Sequence, residues 1–294
     1  MRKAQSKPKF IARESATRSD LRPVLKWAGG KTQLLPQLEN YFPKQFKKYF
    51  EPFAGGLAVF FHLRKTRGQF EAFLSDYNFE LVNCYKIIQE NARFIFPVLS
   101  RHQDGHNKVY YLETRRIHAA GLSNLERAAR LIYLNKTCYN GLYRVNSNGE
   151  FNVPMGSYRN PKILDEQNLL AVSSALKNTT VQHADFGDVI EHADKGDFVY
   201  FDPPYYTEEN GFTGYIQQQN SGKAEFGAAQ HLRLAKVAKE LKKKGCYVLI
   251  SNSESKFIKS IYNDFTIYLV HARNIINCNG NGRGLKRELI ITNI

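Results

Sequence analysis

The chain has 294 residues, 43% of them hydrophobic, enough for one large domain or two modest ones with a full core. Its 42 Lys and Arg against 27 Asp and Glu leave a formal net charge of +15, which favours a polyanionic partner, nucleic acid ahead of membrane. The cysteines (Cys84, Cys138, Cys246 and Cys278) are scattered with no Cys-x-x-Cys pair, so neither a disulfide framework nor a zinc site is expected, and a reducing cytoplasm is the natural home. No signal peptide and no apolar run of membrane-spanning length stands out, and no membrane contact is expected.

Residues 1–21 read as a basic, flexible tail without hydrophobic periodicity. Pro23 to Lys31 then holds the only tryptophan, Trp27, followed by Gly29, Gly30 and Lys31. The glycines allow close backbone approach, Lys31 can meet a carboxylate and Trp27 can wall a pocket. The spacing of a phosphate-binding P-loop is missing. Next, Tyr49-Phe50 to Phe53 reads as a short apolar strand, and Gly55-Gly56 opens a helix carrying Leu57, Val59, Phe60, Phe61 and Leu63. Strand, glycine turn and helix make the first unit of a Rossmann-like sheet, although the Gly-x-Gly-x-x-Gly spacing of dinucleotide sites is absent. A second strand, Ala72 to Ser75, ends at Asp76, which either accepts from both hydroxyls of a ribose or caps a helix starting near Asn78.

Helical periodicity runs from Phe79 to about Ser100, with further helices expected over Lys108 to Ala120 and Leu125 to Thr137. They read as an insertion between the second strand and the rest of the sheet. The texture then changes to aromatic, polar and basic from Tyr139 to Pro154, and Asn148-Gly149 predicts a hairpin. Arg144, Asn140 and Tyr139 on that hairpin suit entry into DNA: Arg takes guanine bidentately, and an aromatic fills a gap in a base stack. The sheet resumes at Thr180 to Ala184, before Asp185-Phe186. Residues 208–227, rich in Gly, Gln and Asn, read as a mobile lid or DNA-side loop. A helix with Leu234, Val237, Ala238 and Leu241 on one face follows, and then strands at Cys246 to Asn252, Phe265 to Val270 and Leu289 to Thr292. The basic, Asn- and Gly-rich stretch from Arg273 to Arg287 has a good composition for phosphate contacts.

The central stretch is Phe198-Val199-Tyr200-Phe201, a buried parallel strand that stops in Asp202-Pro203-Pro204-Tyr205-Tyr206. Neither proline donates a backbone hydrogen bond, and Pro204 biases Pro203 away from helix. Asp202 and the Pro203 carbonyl therefore sit side by side as acceptors, matched to an amine with two hydrogens, while Tyr205 offers a flat face. Adenine and cytosine fit all three features; a glutamine amide fits less well.

Five motifs now stand in order: Leu25 to Lys31, Glu51 to Gly56, Tyr139 to Arg144, Gly149 to Pro154 and Asp202 to Tyr205. From about Val24 to the C-terminus the chain resembles the Dam-type (D12 class, alpha group) DNA adenine-N6 methyltransferases. The resemblance implies an α/β fold: a Rossmann-like S-adenosylmethionine-dependent methyltransferase sheet from residues 22–78 and 180–294, with a helical and β-hairpin DNA-recognition domain at 79–179 inserted into it. It implies that Trp27, Lys31, Phe53, Gly55, Asp76 and Asp202 hold S-adenosyl-L-methionine. It implies that Tyr139, Asn140, Leu142, Arg144 and Pro154 face double-stranded DNA, in the version of the hairpin that reads GATC. Asp202, Pro203, Pro204 and Tyr205 would grip a flipped-out adenine, without a metal. A monomer is expected, with a cognate restriction endonuclease as a possible partner. Two departures stand out: the 207–226 loop does not match the family's usual lid, and Gly55-Gly56 replaces a more frequent Gly-x-Gly. Competing readings are a methyltransferase on RNA or on protein glutamine, and a catalytically silent DNA-binding protein. The glutamine-modifying kind usually carries Asn before Pro-Pro-Tyr, where this chain has Asp202.

Overall fold

Short apolar strands alternating with amphipathic helices build a seven-stranded sheet covered on both faces. The computed structural model describes residues 20–206, 216–219, 222–273 and 285–294. In chain order the elements are α1 (Leu35–Leu38), β1 (Lys48–Glu51), α2 (Ala58–Arg67), β2 (Glu71–Asp76), α3 (Phe79–Asn91), α4 (Phe96–Asp104), α5 (Lys108–Arg116), α6 (Asn124–Thr137), α7 (Glu166–Ala175), β3 (Thr179–His183), α8 (Val189–His192), β4 (Phe198–Phe201), β5 (Ile216–Gln219), β6 (Gly222–Glu225), α9 (Ala228–Lys244), β7 (Tyr247–Ser253), α10 (Lys256–Ile261), β8 (Thr266–Arg273) and β9 (Leu285–Thr292).

The strand order is β3-β2-β1-β4-β7-β9-β8. The first five are parallel, and β9 runs antiparallel between β7 and β8. Winding proceeds outward from β1 to β3 on one side and from β4 to β7 on the other. The direction therefore reverses between β1 and β4, and open α/β sheets bind ligands in the crevice outside the strand ends at such a switch point. All four residues of β4 are buried, as expected for a central parallel strand covered on both faces. Successive side chains alternate: Tyr200 joins the core with Tyr49, Leu74, Val82 and Leu134, while Val199 and Phe201 join Leu234, Val237, Leu241 and Ile250 on the opposite face.

The sequence-derived elements shift at their ends. β1 stops at Glu51 rather than Phe53, because Pro52 has no N–H to continue the ladder. Leu57 precedes α2 with a left-handed backbone, φ 58°, instead of opening the helix. The helix expected to reach Ser100 breaks after Asn91, passes through a 3-10 turn at Ala92–Ile95 and restarts as α4 with a proline in its first turn. The helix expected to reach Ala120 ends at Arg116. The hairpin is looser than a two-residue Asn-Gly turn. Its arms form isolated bridges at Val145–Phe151 and Cys138–Met155 rather than a continuous ladder, with backbone hydrogen bonds such as the Asn152 N–H to the Arg144 carbonyl between them, and the Gly149 N–H donates to the Asn146 carbonyl across the turn. Leu21, assigned to the basic tail, is buried in the core, and Arg22 pairs with Asp165. Residues 1–19, half of the expected lid (208–215, 220 and 221) and the centre of the basic linker (274–284) lie outside the described residues, although β5 and β6 form within the lid stretch. Among the described residues no helix is long and apolar enough to cross a membrane.

The long helix α6 packs against α3 and starts with a reciprocal cap. Ser123 Oγ accepts from the Glu126 N–H, and the Glu126 carboxylate accepts from the Ser123 N–H at 3.0 Å. Ser123→Ala removes one half of this cap and is expected to cost about 1 kcal/mol. Urea unfolding should show it as a lower midpoint with an unchanged slope; an unmoved midpoint would mean that packing alone fixes this helix start.

Candidate active site

The carboxyl ends of β1 and β4 deliver two acids into the same crevice, Glu51 and Asp202. Asp202 is met by Lys31, whose Nζ lies 2.7 Å from Asp202 Oδ2. The Lys31 side chain is 4% exposed and that of Asp202 19%. The same ammonium also donates to the Gly29 carbonyl and lies 4.9 Å from the centre of the Tyr205 ring. Burial pushes the Asp202 carboxyl up to about 6, against the pull of Lys31 and with a further push from Glu288. At neutral pH Asp202 is therefore an ionised acceptor within reach of a proton.

The loop after Asp202 is fastened from several sides. The Tyr205 hydroxyl donates to Glu288 Oε2 at 2.7 Å. The Tyr206 N–H donates to Asn252 Oδ1 at 3.3 Å, and the Ser253 hydroxyl donates to the Tyr206 carbonyl. Glu51 is buried, and its Oε2 accepts from the Tyr49 hydroxyl at 2.8 Å. Burial raises the Glu51 carboxyl to about 8, with the Asp202 charge adding to the push, so Glu51 is protonated at neutral pH.

Asp76, at the end of β2, accepts from the Gly55 N–H at 3.0 Å and the Asn78 N–H at 2.9 Å. The cap of α3 is Asn78 itself, which accepts from the Leu81 N–H. Asp76 thus ties the glycine turn to the start of that helix. Burial raises its pKa and these N–H contacts oppose the rise. Gly55 adopts φ +46°, and a Cβ there would lie 3.0 Å from Trp27 Cδ1. The indole rests on this turn and stacks on Tyr143, with ring centroids 5.4 Å apart. Phe53, two residues before Gly55, stacks on Phe186 and lies edge-on to Phe226 in an aromatic cluster.

The expected DNA-facing residues gather on one turn and hairpin. Tyr139 is 41% exposed, and its N–H donates to the carbonyl of the exposed Pro154. Asn140 is left-handed at φ 55°, and Leu142 is half-buried. Arg144 is exposed, its guanidinium braced on Asn152 Oδ1 at 2.7 Å. Buried Asn135 ties this turn to the segment before Trp27: it bonds both the N–H and the carbonyl of Lys26, and the Gly141 carbonyl. Among the described residues no cluster of His, Cys, Asp and Glu could hold a metal ion.

Sequence reading missed Glu51, Glu288 and Tyr143 as site-forming residues. Glu51 carried a usable signal, an acid closing the apolar run Tyr49-Phe50 as Asp202 closes Tyr200-Phe201. Glu288 carried none, because its relation to Tyr205 exists only through the sheet order.

A sequence model of the D12 class N6 adenine-specific DNA methyltransferases matches residues 27–276. The chain belongs to that family. It is 39% identical to the type II methyltransferase M1.LlaDCHI of Lactococcus lactis subsp. cremoris, over 93% of this chain and 96% of that one. It is 42% identical to the type II methyltransferase M.MjaIII of Methanocaldococcus jannaschii, over 93% of this chain and 99% of that one. It is 35% identical to the DNA adenine methylase of Haemophilus influenzae, over 92% of both. The sheet order and the acid-Pro-Pro-Tyr loop at its switch point agree with an adenine-N6 DNA methyltransferase.

The raised Glu51 carboxyl makes stability depend on pH. The folded chain holds this proton up to about pH 8, whereas the ordinary value is 4.5. Its contribution is full below the ordinary value and is lost as pH rises towards about 8. Glu51→Gln should remove that decline, so unfolding free energies of the two proteins diverge between pH 5 and pH 8, roughly the window set by the linkage. Parallel pH profiles would show that Glu51 ionises normally.

Proposed function

We propose that the protein transfers the methyl group of S-adenosyl-L-methionine to the N6 amine of an adenine flipped out of double-stranded DNA, within GATC. The observation that carries this reading is the Asp202 carboxylate held by Lys31 beside the donor-less Pro203-Pro204 turn at the strand switch point.

The residues fit the cofactor. Lys31 uses two of its three donors on Gly29 and Asp202, which leaves one for a carboxylate. Gly55 forms a cradle that a side chain would fill, beneath Trp27. Trp27, Lys31, Phe53, Gly55, Asp76 and Asp202 are proposed to hold it, Asp76 at the ribose. When bound, S-adenosylmethionine supplies an electrophilic sulfonium methyl.

The chain's own residues do the rest. Adenine N6 is a poor nucleophile because its lone pair feeds the ring. Asp202 and the Pro203 carbonyl accept both amine hydrogens and localise that lone pair. Tyr205 stacks on the base and offsets an unstacking cost of roughly a few kcal/mol. As the new N–C bond forms, N6 sheds one proton to Asp202 or to water. Fixed dipoles and positioning supply the rate, without a metal or a covalent enzyme intermediate.

On the recognition side, residues 79–179 serve as the DNA-reading domain, with Arg144 on a guanine and Asn140, Leu142 and Pro154 against neighbouring groups. Tyr139 stands near the vacated position. The protein acts as a monomer, and the type II names of two relatives support a companion restriction endonuclease that reads the same site.

Asp202→Ala should leave a folded protein whose methyl transfer from labelled cofactor to duplex DNA falls by orders of magnitude; normal turnover in that variant would refute the assignment. Arg144→Ala should lose roughly 1–3 kcal/mol of discrimination at one base pair. Sequencing of methylated sites reads this directly, and an unchanged preference would mean the hairpin is not the reader.

A further inference from the structure

Glu288 lies in β9, opposite Ser253 of β7 and Val270 of β8. It is 8% exposed and is followed directly by the buried run Leu289-Ile290-Ile291. A carboxylate at such a place carries a desolvation cost that a strand does not require, unless hydrogen bonding offsets it. Its partner is the Tyr205 hydroxyl at 2.7 Å. The nearby acid Glu254 is occupied differently, paired with Lys259 and Arg287. The Tyr205 ring is thereby held at two points, by Glu288 at its hydroxyl and by the Lys31 ammonium 4.9 Å from its centre. The loop that carries it is pinned in turn by Asn252 and Ser253, at the carboxyl end of β7. A charged acceptor on the phenol also enriches the ring face, which favours a cationic neighbour.

We propose that Glu288 is a positioning residue for methyl transfer: through the Tyr205 hydroxyl it fixes the plane of the ring on which the target base stacks. The inference rests on the proposed adenine-N6 transfer and assigns Glu288 no contact with either substrate. A misset ring lowers the fraction of bound complexes in attacking geometry, so the loss falls on kcat rather than on the KM for the methyl donor.

The test compares wild type, Glu288→Ala, Glu288→Gln, Tyr205→Phe and the Glu288→Ala/Tyr205→Phe double variant, with labelled S-adenosylmethionine and duplex DNA. Losing a hydrogen bond to a buried charge is expected to lower kcat roughly 10- to 100-fold in Glu288→Ala, with the donor KM within about twofold. Glu288→Gln, whose amide oxygen accepts the same bond, should recover most of the rate. Tyr205→Phe should lose a similar factor, and the double variant should be no slower than the slower single one. An unchanged kcat in Glu288→Ala, a Gln variant as slow as the Ala variant, or losses that multiply in the double variant would each overturn the proposal. Should Glu288→Ala fail to fold by circular dichroism, the Gln and Phe variants still decide: Glu288→Gln active with Tyr205→Phe slowed supports it, and Tyr205→Phe at full rate overturns it. A wild type that places no methyl on adenine would instead sink the underlying functional reading.

Discussion

The contact between Lys31 and Asp202 is the constraint from which the site follows. It joins the segment before β1 to the loop after β4, the two strands between which the sheet changes direction. A buried ion pair contributes little to stability once desolvation is counted, so its value here is in what it orients. Lys31 keeps Asp202 ionised in a crevice that would otherwise favour the neutral acid. The second acid of the crevice, Glu51, is handled the opposite way, protonated and bonded by Tyr49. Two carboxylates close together in a low-dielectric site do not both ionise cheaply, and the fold separates them by giving the cation to one.

Around that pair the structure connects the pocket to the recognition surface. Trp27 lies over the Gly55 turn on one side and stacks on Tyr143 of the hairpin on the other. Asn135 reaches from α6 to both Lys26 and Gly141. Gly141 is required by this closeness: with φ +66°, a Cβ there would stand 2.6 Å from Lys26 Cβ. The turn proposed to meet DNA is therefore built onto the segment proposed to hold the cofactor.

Much of this was legible in the sequence, for identifiable reasons. The strands announce themselves as apolar runs, and proline marks where β1 and β4 stop. The acid, two prolines and aromatic after Phe201 state their chemistry without any tertiary information. Asp76 could be read as a ribose ligand or as a helix cap; the structure shows it binding two backbone N–H groups, Gly55 and Asn78, while Asn78 takes the cap. The packing of the Phe53 ring against Phe186 and Phe226 had no local signal, because those residues lie more than a hundred positions away in the chain. Glu288 was invisible. β9 inserts between β7 and β8 with no local signal for that order, so nothing in the sequence set this acid beside Tyr205. The break between α3 and α4 escaped for a local reason: apolar periodicity continues through a 3-10 turn that periodicity does not detect.

The most direct test is the single-turnover rate of methyl transfer to duplex DNA as a function of pH, with the donor saturating. If the Lys31-held Asp202 carboxylate accepts the amine hydrogens, the rate rises through one ionisation near 6, where burial has moved that group. A rate that is flat across that ionisation, or that rises only near 8 where Glu51 loses its proton, would contradict it.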